Sequence, residues 1–368
     1  MNSSLATARS EARGVLALVR PAIRTLAAYA SATWEPALER LHANENPWRL
    51  PDDPTQAGLN RYPEPQPNAL ETALAQLYGV NARQLLAGRG SDEGIDLLTR
   101  ALCEAGRDAV VVCPPTFAMY EMAARIQGAR VIEVPLLREG GFALDEAALR
   151  RVASPAVKLV WLCSPNNPTG HCLDPRSVET LLRQLAGRSL VVIDEAYAEF
   201  SAGPSWLTRL EEFQNLVVLR TLSKAYALAG ARVGAVVGPE ALIEVLRRVR
   251  PPYAIPTATS ETVIAALNGE ALAVARARIA TLCVERERLR SGLARSPLIS
   301  RVWPSQANFL LVESETPALV VSAARAAGFL LRDLSAGTRT AGAIRITVGT
   351  PEQNQRLLAV LNAGSGAQ

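Results

Sequence analysis

The sequence predicts an α/β protein, with a large domain on a mostly parallel sheet covered by helices on both faces and a smaller α+β domain after it. Three observations carry this. From Leu85 to Gly238, short and nearly continuous apolar runs alternate with segments of helical period, the pattern of strands buried on both faces. After Pro239 the texture changes to long helical stretches and then to strands mixed with helices. Ahead of both lies a segment with Pro47, Pro51, Pro54, Pro63, Pro65 and Pro67, which excludes a helix or central strand and predicts an extended surface arm. The expected division is residues 1–50 as a tail, helix and arm contributing to the small domain, 51–255 as the large domain and 256–368 as the small one.

Taken in order, Pro21 suits the first turn of a helix over Ala22 to Tyr29, behind a short disordered tail. Arg9, Arg13, Arg20 and Arg24 with the single acid Glu11 only weakly imitate an organelle transit peptide. Helical period runs from Asn68 to Tyr78 and is stopped by Gly79. Gln84 to Gly88 forms a short strand that breaks into a glycine turn and a helix from Asp92 to about Glu104. Three further pairs follow: strand Asp108–Cys113 and helix Met119–Ile126, strand Arg130–Val134 and helix Asp145–Val152, strand Val157–Cys163 and helix Pro175–Ala186. Leu190–Ile193 is a strand ending on Asp194, Leu216–Leu219 another, and Arg232–Gly238 a third. Glu240 to Ala294 reads as helical, interrupted by Pro251-Pro252 and Pro256, with Thr257 a candidate cap. Strands over Asn308–Val312, Phe329–Arg332 and Ala343–Val348 and a helix over Glu352–Leu361 complete the small domain. Function in such folds collects at the carboxyl ends of the strands.

Composition narrows the chemistry. Hydrophobic residues at 49% and charged residues at 20% of 368 describe an ordinary globular chain, and no apolar run approaches membrane-spanning length. A net charge of +4 without a basic block argues against a nucleic-acid partner. Five cysteines without a C-x-x-C pair fit reduced thiols in the cytoplasm. His42 and His171 are the only histidines, which leaves almost nothing for a histidine-based metal site or a Ser-His-Asp triad; no metal is expected.

All but two of the 39 basic residues are arginine. The exceptions are Lys158 and Lys224, and Lys224 stands where the strand Leu216–Leu219 breaks into hydroxyls and small residues. A primary amine can lose its proton and attack a carbonyl, whereas a guanidinium stays charged, so Lys224 is the candidate Schiff-base residue; a solvated loop lysine is the plain alternative. Gly88-Arg-Gly90-Ser91-Asp92-Glu-Gly94 misses the dinucleotide spacing by one residue, yet its turn delivers Ser91 and Asp92 to a helix start that favours a phosphate, unless Ser91 is only an N-cap. In Ser164-Pro-Asn-Asn167-Pro168 the flanking prolines stiffen Asn167, whose amide could donate to a ligand oxygen if the segment is more than a turn. Asp194 sits where a buried strand ends and needs a cation or hydrogen-bond donors to face, either a protonated cofactor ring nitrogen or one of the many arginines. Arg232 could pin a phosphate with Thr221 and Ser223, while Arg332 and Arg345 lie at strand ends in the small domain.

Read together, Asn167, Asp194 and Tyr197, Thr221-Leu-Ser223-Lys224 and Arg232 resemble the ordered signature of fold-type-I pyridoxal-phosphate aminotransferases, and most of all their histidinol-phosphate branch. The resemblance extends through Leu41-His-Ala-Asn44-Glu45-Asn46-Pro47, Arg61-Tyr62-Pro63-Glu64, Gly90–Gly94, Cys113-Pro-Pro-Thr-Phe117-Ala-Met-Tyr120, Leu331-Arg332-Asp333 and Ile344-Arg345-Ile-Thr-Val-Gly349. It covers nearly the whole chain apart from about the first fifteen residues and the extreme C-terminus.

The resemblance implies a seven-stranded sheet in the large domain and pyridoxal 5'-phosphate bound covalently to Lys224, which would then carry protons during catalysis. It implies that Asp194 pairs with the ring nitrogen, that Asn167 and Tyr197 bond the ring hydroxyl oxygen, and that Ser91, Asp92, Thr221, Ser223 and Arg232 surround the phosphate. Phe117 falls where the family stacks an aromatic ring, often a tyrosine, and lacks that tyrosine's hydroxyl. Tyr62 would cross to the other subunit of a homodimer, and Tyr62, Asn44, Arg332 and Arg345 would bind substrate. The implied partners are small molecules, histidinol phosphate and glutamate or 2-oxoglutarate. An aromatic amino-acid aminotransferase and a phosphothreonine decarboxylase share the scaffold and remain open.

Overall fold

The structure, a computed structural model, describes residues 14–29, 35 and 37–363; most of the expected N-terminal tail lies outside them. The large domain is a seven-stranded sheet in the order β1-β7-β6-β5-β4-β2-β3. Its strands are β1 (Leu85–Gly88), β2 (Ala109–Val112), β3 (Arg130–Glu133), β4 (Val157–Cys163), β5 (Leu190–Asp194), β6 (Leu216–Thr221) and β7 (Gly234–Val237). Only β7 runs against its neighbours, β1 and β6, so the sheet is mostly parallel, as the unbroken apolar runs require. β4, β5 and β6 are buried almost throughout, and successive residues alternate between two apolar layers: Val191, Ile193, Leu216 and Val218 lie on one face, Leu190, Val192, Val217 and Leu219 on the other.

The helices of this domain match the expected period closely. They are α2 (Asn68–Tyr78, ended by Gly79 at φ 66°), α3 (Ser91–Leu102), α4 (Met119–Gln127), α5 (Glu146–Val152, capped by Asp145) and α6 (Pro175–Leu185, capped by Asp174). After α7 (Glu240–Val249), α8 (Thr257–Ala266) and α9 (Gly269–Leu293), a second sheet of order β10-β11-β9-β8 carries β9 (Phe309–Glu313) between β8 (Arg301–Val302) and β11 (Ala343–Thr347), with β10 (Arg332–Asp333) at the edge. α10 (Pro317–Ala326) and α11 (Pro351–Asn362) cover it, and Leu289, Leu310, Val312, Ile344, Ile346 and Leu357 form its separate core.

Several expectations need correction. The helix expected over Ala22 to Tyr29, α1, spans only Pro21–Arg24 and buries no residue fully, with Ile23 alone packing in part against the core. Val15, Leu18 and Val19, in the segment expected to join the small domain, instead pack into the large domain's core, and Arg20 bonds Ala101 O and Glu104. β7 starts at Gly234, not Arg232, since Arg232 takes φ 56°, which no strand residue adopts. Neither Ser91 nor Thr257 is an N-cap: each is the first residue of its helix, preceded by Gly90 and Pro256. The strand expected over Phe329–Arg332 shrinks to Arg332–Asp333.

Candidate active site

The carboxyl ends of β4, β5 and β6 open on a cavity of about 680 Å³ whose far wall is the β10–β11 hairpin of the small domain. Of the residues singled out from sequence, Ser91, Asp92, Phe117, Asn167, Asp194, Tyr197, Thr221, Ser223, Lys224, Arg232, Arg332 and Arg345 all line it. Asn44 and Tyr62 do not: Asn44 is exposed on the arm, and the half-exposed Tyr62 ring stacks on Tyr253 at 4.8 Å.

One end of the cavity is built for a phosphate. Gly90 caps α3 without any side-chain hydrogen bond, so the first-turn N–H groups of Ser91 and Asp92 have no acceptor within the helix. Arg232 Nη1 donates to Ser223 Oγ at 3.3 Å, Thr221 Oγ1 donates to Ser223 Oγ at 3.0 Å, and Arg232 Nη2 pairs with Asp92 at 3.2 Å. Glycine suits position 90 because its φ of 80° lies where side-chain-bearing residues are strained. Gly94 lets α3 press onto the sheet, where a Cβ would meet Val236 Cγ2 at 2.6 Å. A ring of guanidinium, hydroxyls and free N–H groups fits a phosphate monoester.

At the floor, Asp194 is buried and its partners are neutral. Tyr120 Oη donates to Oδ2 at 2.8 Å and Ala196 N to Oδ1 at 3.0 Å; no arginine reaches it among the described residues. Burial pushes its carboxyl up to about 6, with the Tyr120 and Ala196 hydrogen bonds acting against the rise. The neighbouring Glu195 takes the arginine instead: Arg220 Nη1 donates to it at 2.7 Å.

Lys224 opens into the cavity with its amine 5.8 Å from the centre of the Tyr197 ring. Burial, and after it the Arg345 guanidinium, lowers its proton affinity, which raises the share of free amine. Tyr197 is buried against Phe309, edge to face at 5.1 Å, and burial pushes its phenol above the ordinary range, so it is a donor throughout the neutral region. Asn167 accepts a hydrogen bond at Oδ1 from Arg345 Nη1, leaving its NH2 end to donate. Arg332 and Arg345 lie directly opposite each other across β10 and β11, two forked cations in one register position. Phe117 lines the cavity edge-on to Tyr120 at 5.7 Å.

The family "Aminotransferase class I and II" matches residues 49–361 of the sequence. The chain belongs to that family. A histidinol-phosphate aminotransferase of Xylella fastidiosa (strain Temecula1) is 49% identical over 352 residues, covering 94% of this chain and 96% of that protein. One of Xanthomonas euvesicatoria pv. vesicatoria (strain 85-10) is 49% identical over 356 residues, with 95% and 97% covered. Among solved structures, a histidinol-phosphate aminotransferase from Sinorhizobium meliloti in complex with pyridoxal-5'-phosphate aligns at TM-score 0.73 and 25% identity over 82% of each chain.

In this aminotransferase the sequence alone gave no role to Tyr120, which lies on the first turn of α4, three residues after Phe117 and just past the Ala118 cap. Arg220, Glu199, Glu133 and Arg339 also went unmarked. Arg220 Nη2 pairs with Glu199 at 2.5 Å beneath the floor, and Arg339, at the tip of the β10–β11 hairpin, pairs with Glu133 at 2.8 Å across the cavity.

Proposed function

We propose that this protein is a pyridoxal-phosphate-dependent histidinol-phosphate aminotransferase of L-histidine biosynthesis, exchanging an amino group between L-histidinol phosphate with 2-oxoglutarate and imidazole acetol phosphate with L-glutamate. The observation that carries this reading is the meeting of Lys224, Asp194 and the Arg332–Arg345 pair on one cavity, in a chain 49% identical over nearly its whole length to proteins of that name. When bound, the cofactor supplies an aldehyde carbon for an amine and a ring that accepts electron density.

The chain's own residues do the rest. The Ser91 and Asp92 N–H groups with Thr221, Ser223 and Arg232 would hold the cofactor phosphate. Lys224 Nζ would be the point of covalent attachment and, with its amine free, the group that carries a proton at the reacting carbon; its lowered proton affinity suits both tasks. Asp194 would face the ring nitrogen with a negative charge. Asn167 Nδ2 and Tyr197 Oη would donate to the ring hydroxyl oxygen, and Phe117 would stack on the ring.

Arg332 and Arg345 bind the substrate phosphate in one half-reaction and a glutamate carboxylate in the other, which lets a single cavity serve a ping-pong exchange. The enzyme works in the cytoplasm as a homodimer, with Tyr62 and Asn44 completing the other subunit's substrate site. Support for the dimer comes from the arm, where Leu38, Leu41, Trp48, Leu50 and Leu59 are exposed together. Cys103, Cys113 and Cys163, buried as free thiols, suit a reducing compartment, and among the described residues no helix is long and apolar enough to cross a membrane.

The test is a steady-state assay with L-histidinol phosphate and 2-oxoglutarate, run beside L-phenylalanine as donor. Parallel-line initial-rate plots and a kcat/KM at least about 100-fold higher for histidinol phosphate are expected, since two facing guanidiniums match a phosphate dianion better than the single charge of a phenylalanine carboxylate. Equal or better turnover of phenylalanine would replace the reading with an aromatic aminotransferase.

A further inference from the structure

Asp194 is surrounded in an unusual way for a carboxylate buried in an arginine-rich chain. The titratable groups that face it are Tyr120 on α4, Cys163 at the end of β4, Asp92 on α3, its neighbours Glu195 and Tyr197, and Lys224 across the cavity. Of these, Tyr120 alone bonds the Asp194 carboxylate directly, through a 2.8 Å hydrogen bond to Oδ2. The hydroxyl is aimed there by packing: the Tyr120 ring is fully buried, stacked 2° from parallel on Trp161 at 5.1 Å and met edge-on by Phe117 at 5.7 Å. A ring clamped between two aromatics has one direction in which to present its oxygen.

We infer that Tyr120 is a positioning residue for the cofactor: its hydroxyl holds the Asp194 carboxylate in the orientation and the charged form that a protonated pyridine nitrogen needs. The inference rests on the reading of Asp194 given above. Two further observations agree with it. Burial raises the Tyr120 phenol well above its ordinary range, so the hydroxyl donates at every working pH. Burial likewise raises the Asp194 carboxyl to about 6, and the Tyr120 hydrogen bond is the largest influence opposing that rise. Without the hydroxyl the carboxyl becomes the better base, and the proton shared between carboxylate and ring nitrogen moves from nitrogen to oxygen. The ring then becomes a weaker electron acceptor although every group that touches the cofactor is still in place.

The experiment loads the full-length protein with pyridoxal phosphate carrying 15N at the ring nitrogen and records its chemical shift between pH 6 and 9 for wild type, Tyr120→Phe and Asp194→Asn. In wild type the nitrogen is expected to stay in the protonated range. In Tyr120→Phe it moves toward the neutral value, and cofactor affinity at pH 7.5 falls by about 10-fold or more, the lower end of what a hydrogen bond to a charged group is worth. In Asp194→Asn protonation is lost altogether. A Tyr120→Phe shift equal to wild type with affinity within about twofold, beside a lost proton in Asp194→Asn, overturns the role of Tyr120 and leaves Asp194 standing. A retained proton in Asp194→Asn overturns the underlying reading itself. Should Tyr120→Phe fail to fold, 3-fluorotyrosine placed at position 120 keeps the ring and its packing: its 19F resonance should move when cofactor binds to the otherwise native protein and not when Asp194→Asn is also present, and a resonance indifferent to cofactor overturns the inference. A purely structural tyrosine would lower the melting temperature of the cofactor-free protein and leave the nitrogen shift alone.

Discussion

Removing the Arg220 guanidinium by Arg220→Met should destabilise the large domain by about 3–5 kcal/mol at pH 7.5, because it leaves two buried carboxylates without their cation. The side chains of Arg220, Glu195 and Glu199 are only 7%, 3% and 10% exposed, so solvent cannot take over the pairing. Arg220 also lies over the Tyr78 ring at 4.8 Å, and methionine fills that apolar contact while supplying no charge. For a domain of about 200 residues the loss corresponds to a melting temperature lower by roughly 6–20 °C. It should also depend on pH. Even beside the arginine, burial raises the Glu199 carboxyl above its ordinary range, and removing the arginine takes away the charge that opposes this rise. A carboxyl whose folded pKa exceeds its unfolded value costs nothing below the unfolded value and loses stability as pH climbs toward the folded one. The deficit of Arg220→Met against wild type should therefore shrink between pH 7.5 and pH 5.5. Urea titrations followed by tryptophan fluorescence and far-ultraviolet circular dichroism measure both effects, and the triple variant Glu195→Gln/Glu199→Gln/Arg220→Met should recover part of the loss. A deficit below about 1 kcal/mol at pH 7.5, or one that grows on acidification, would refute the assignment of these groups as a buried charge triad.

Three other outcomes are expected. Borohydride treatment of the cofactor-loaded protein should place a covalent label on Lys224, read by peptide mass spectrometry, while Lys224→Ala takes no label and loses at least about 10³-fold in kcat; a label on Lys158 would move the site. Arg345→Lys should raise KM for both the phosphate substrate and 2-oxoglutarate by about 10- to 100-fold with a smaller change in kcat, because it removes one fork of the facing pair proposed to take both anions; an effect on one substrate only would separate the two half-reactions' anion sites. Gly94→Ala should cost about 1–3 kcal/mol in urea or thermal melts, since its Cβ meets Val236 Cγ2 at 2.6 Å, and a neutral result would mean that α3 can slide away from the sheet.

What the sequence made legible follows from how local each signal is. β4, β5 and β6 are apolar runs with abrupt ends, so their carboxyl ends, and with them the positions of Asp194 and Lys224, are legible in the sequence. Asn68–Tyr78 was bounded correctly because helical period and a terminating Gly79 agree. The N-terminal segment was misplaced because Val15, Leu18 and Val19 show an apolar stripe without saying which domain it covers. Tyr120 escaped notice for a similar reason: a buried aromatic on a helix is ordinary core, and only the three-dimensional approach of α4 to the end of β5 turns its hydroxyl into a partner for Asp194. Asn44 and Tyr62 were named from resemblance alone, and within one chain the fold holds them away from the cavity.

The pairing at the end of β5 shows why the question of which acid meets an arginine is decided by strand parity. Successive residues of a strand face opposite sides, so Asp194 continues the layer of Leu190 and Val192, which also contains Tyr120 and Trp161, while Glu195 continues the layer of Val191 and Ile193. On β6 the same alternation sends Arg220 to the side of Leu216 and Val218 and Thr221 to the other. Arg220 therefore meets Glu195 and is shut off from Asp194 by the sheet itself. Had β6 been shifted by one residue, the guanidinium would face Asp194 and neutralise it. With the parity as it is, Asp194 receives only neutral donors among the described residues, and its charge has no partner among them. The register of two neighbouring strands thus does the selecting, and burial of an acid without a cation, at a cost of several kcal/mol, is the physical reason we propose a ligand cation as its partner.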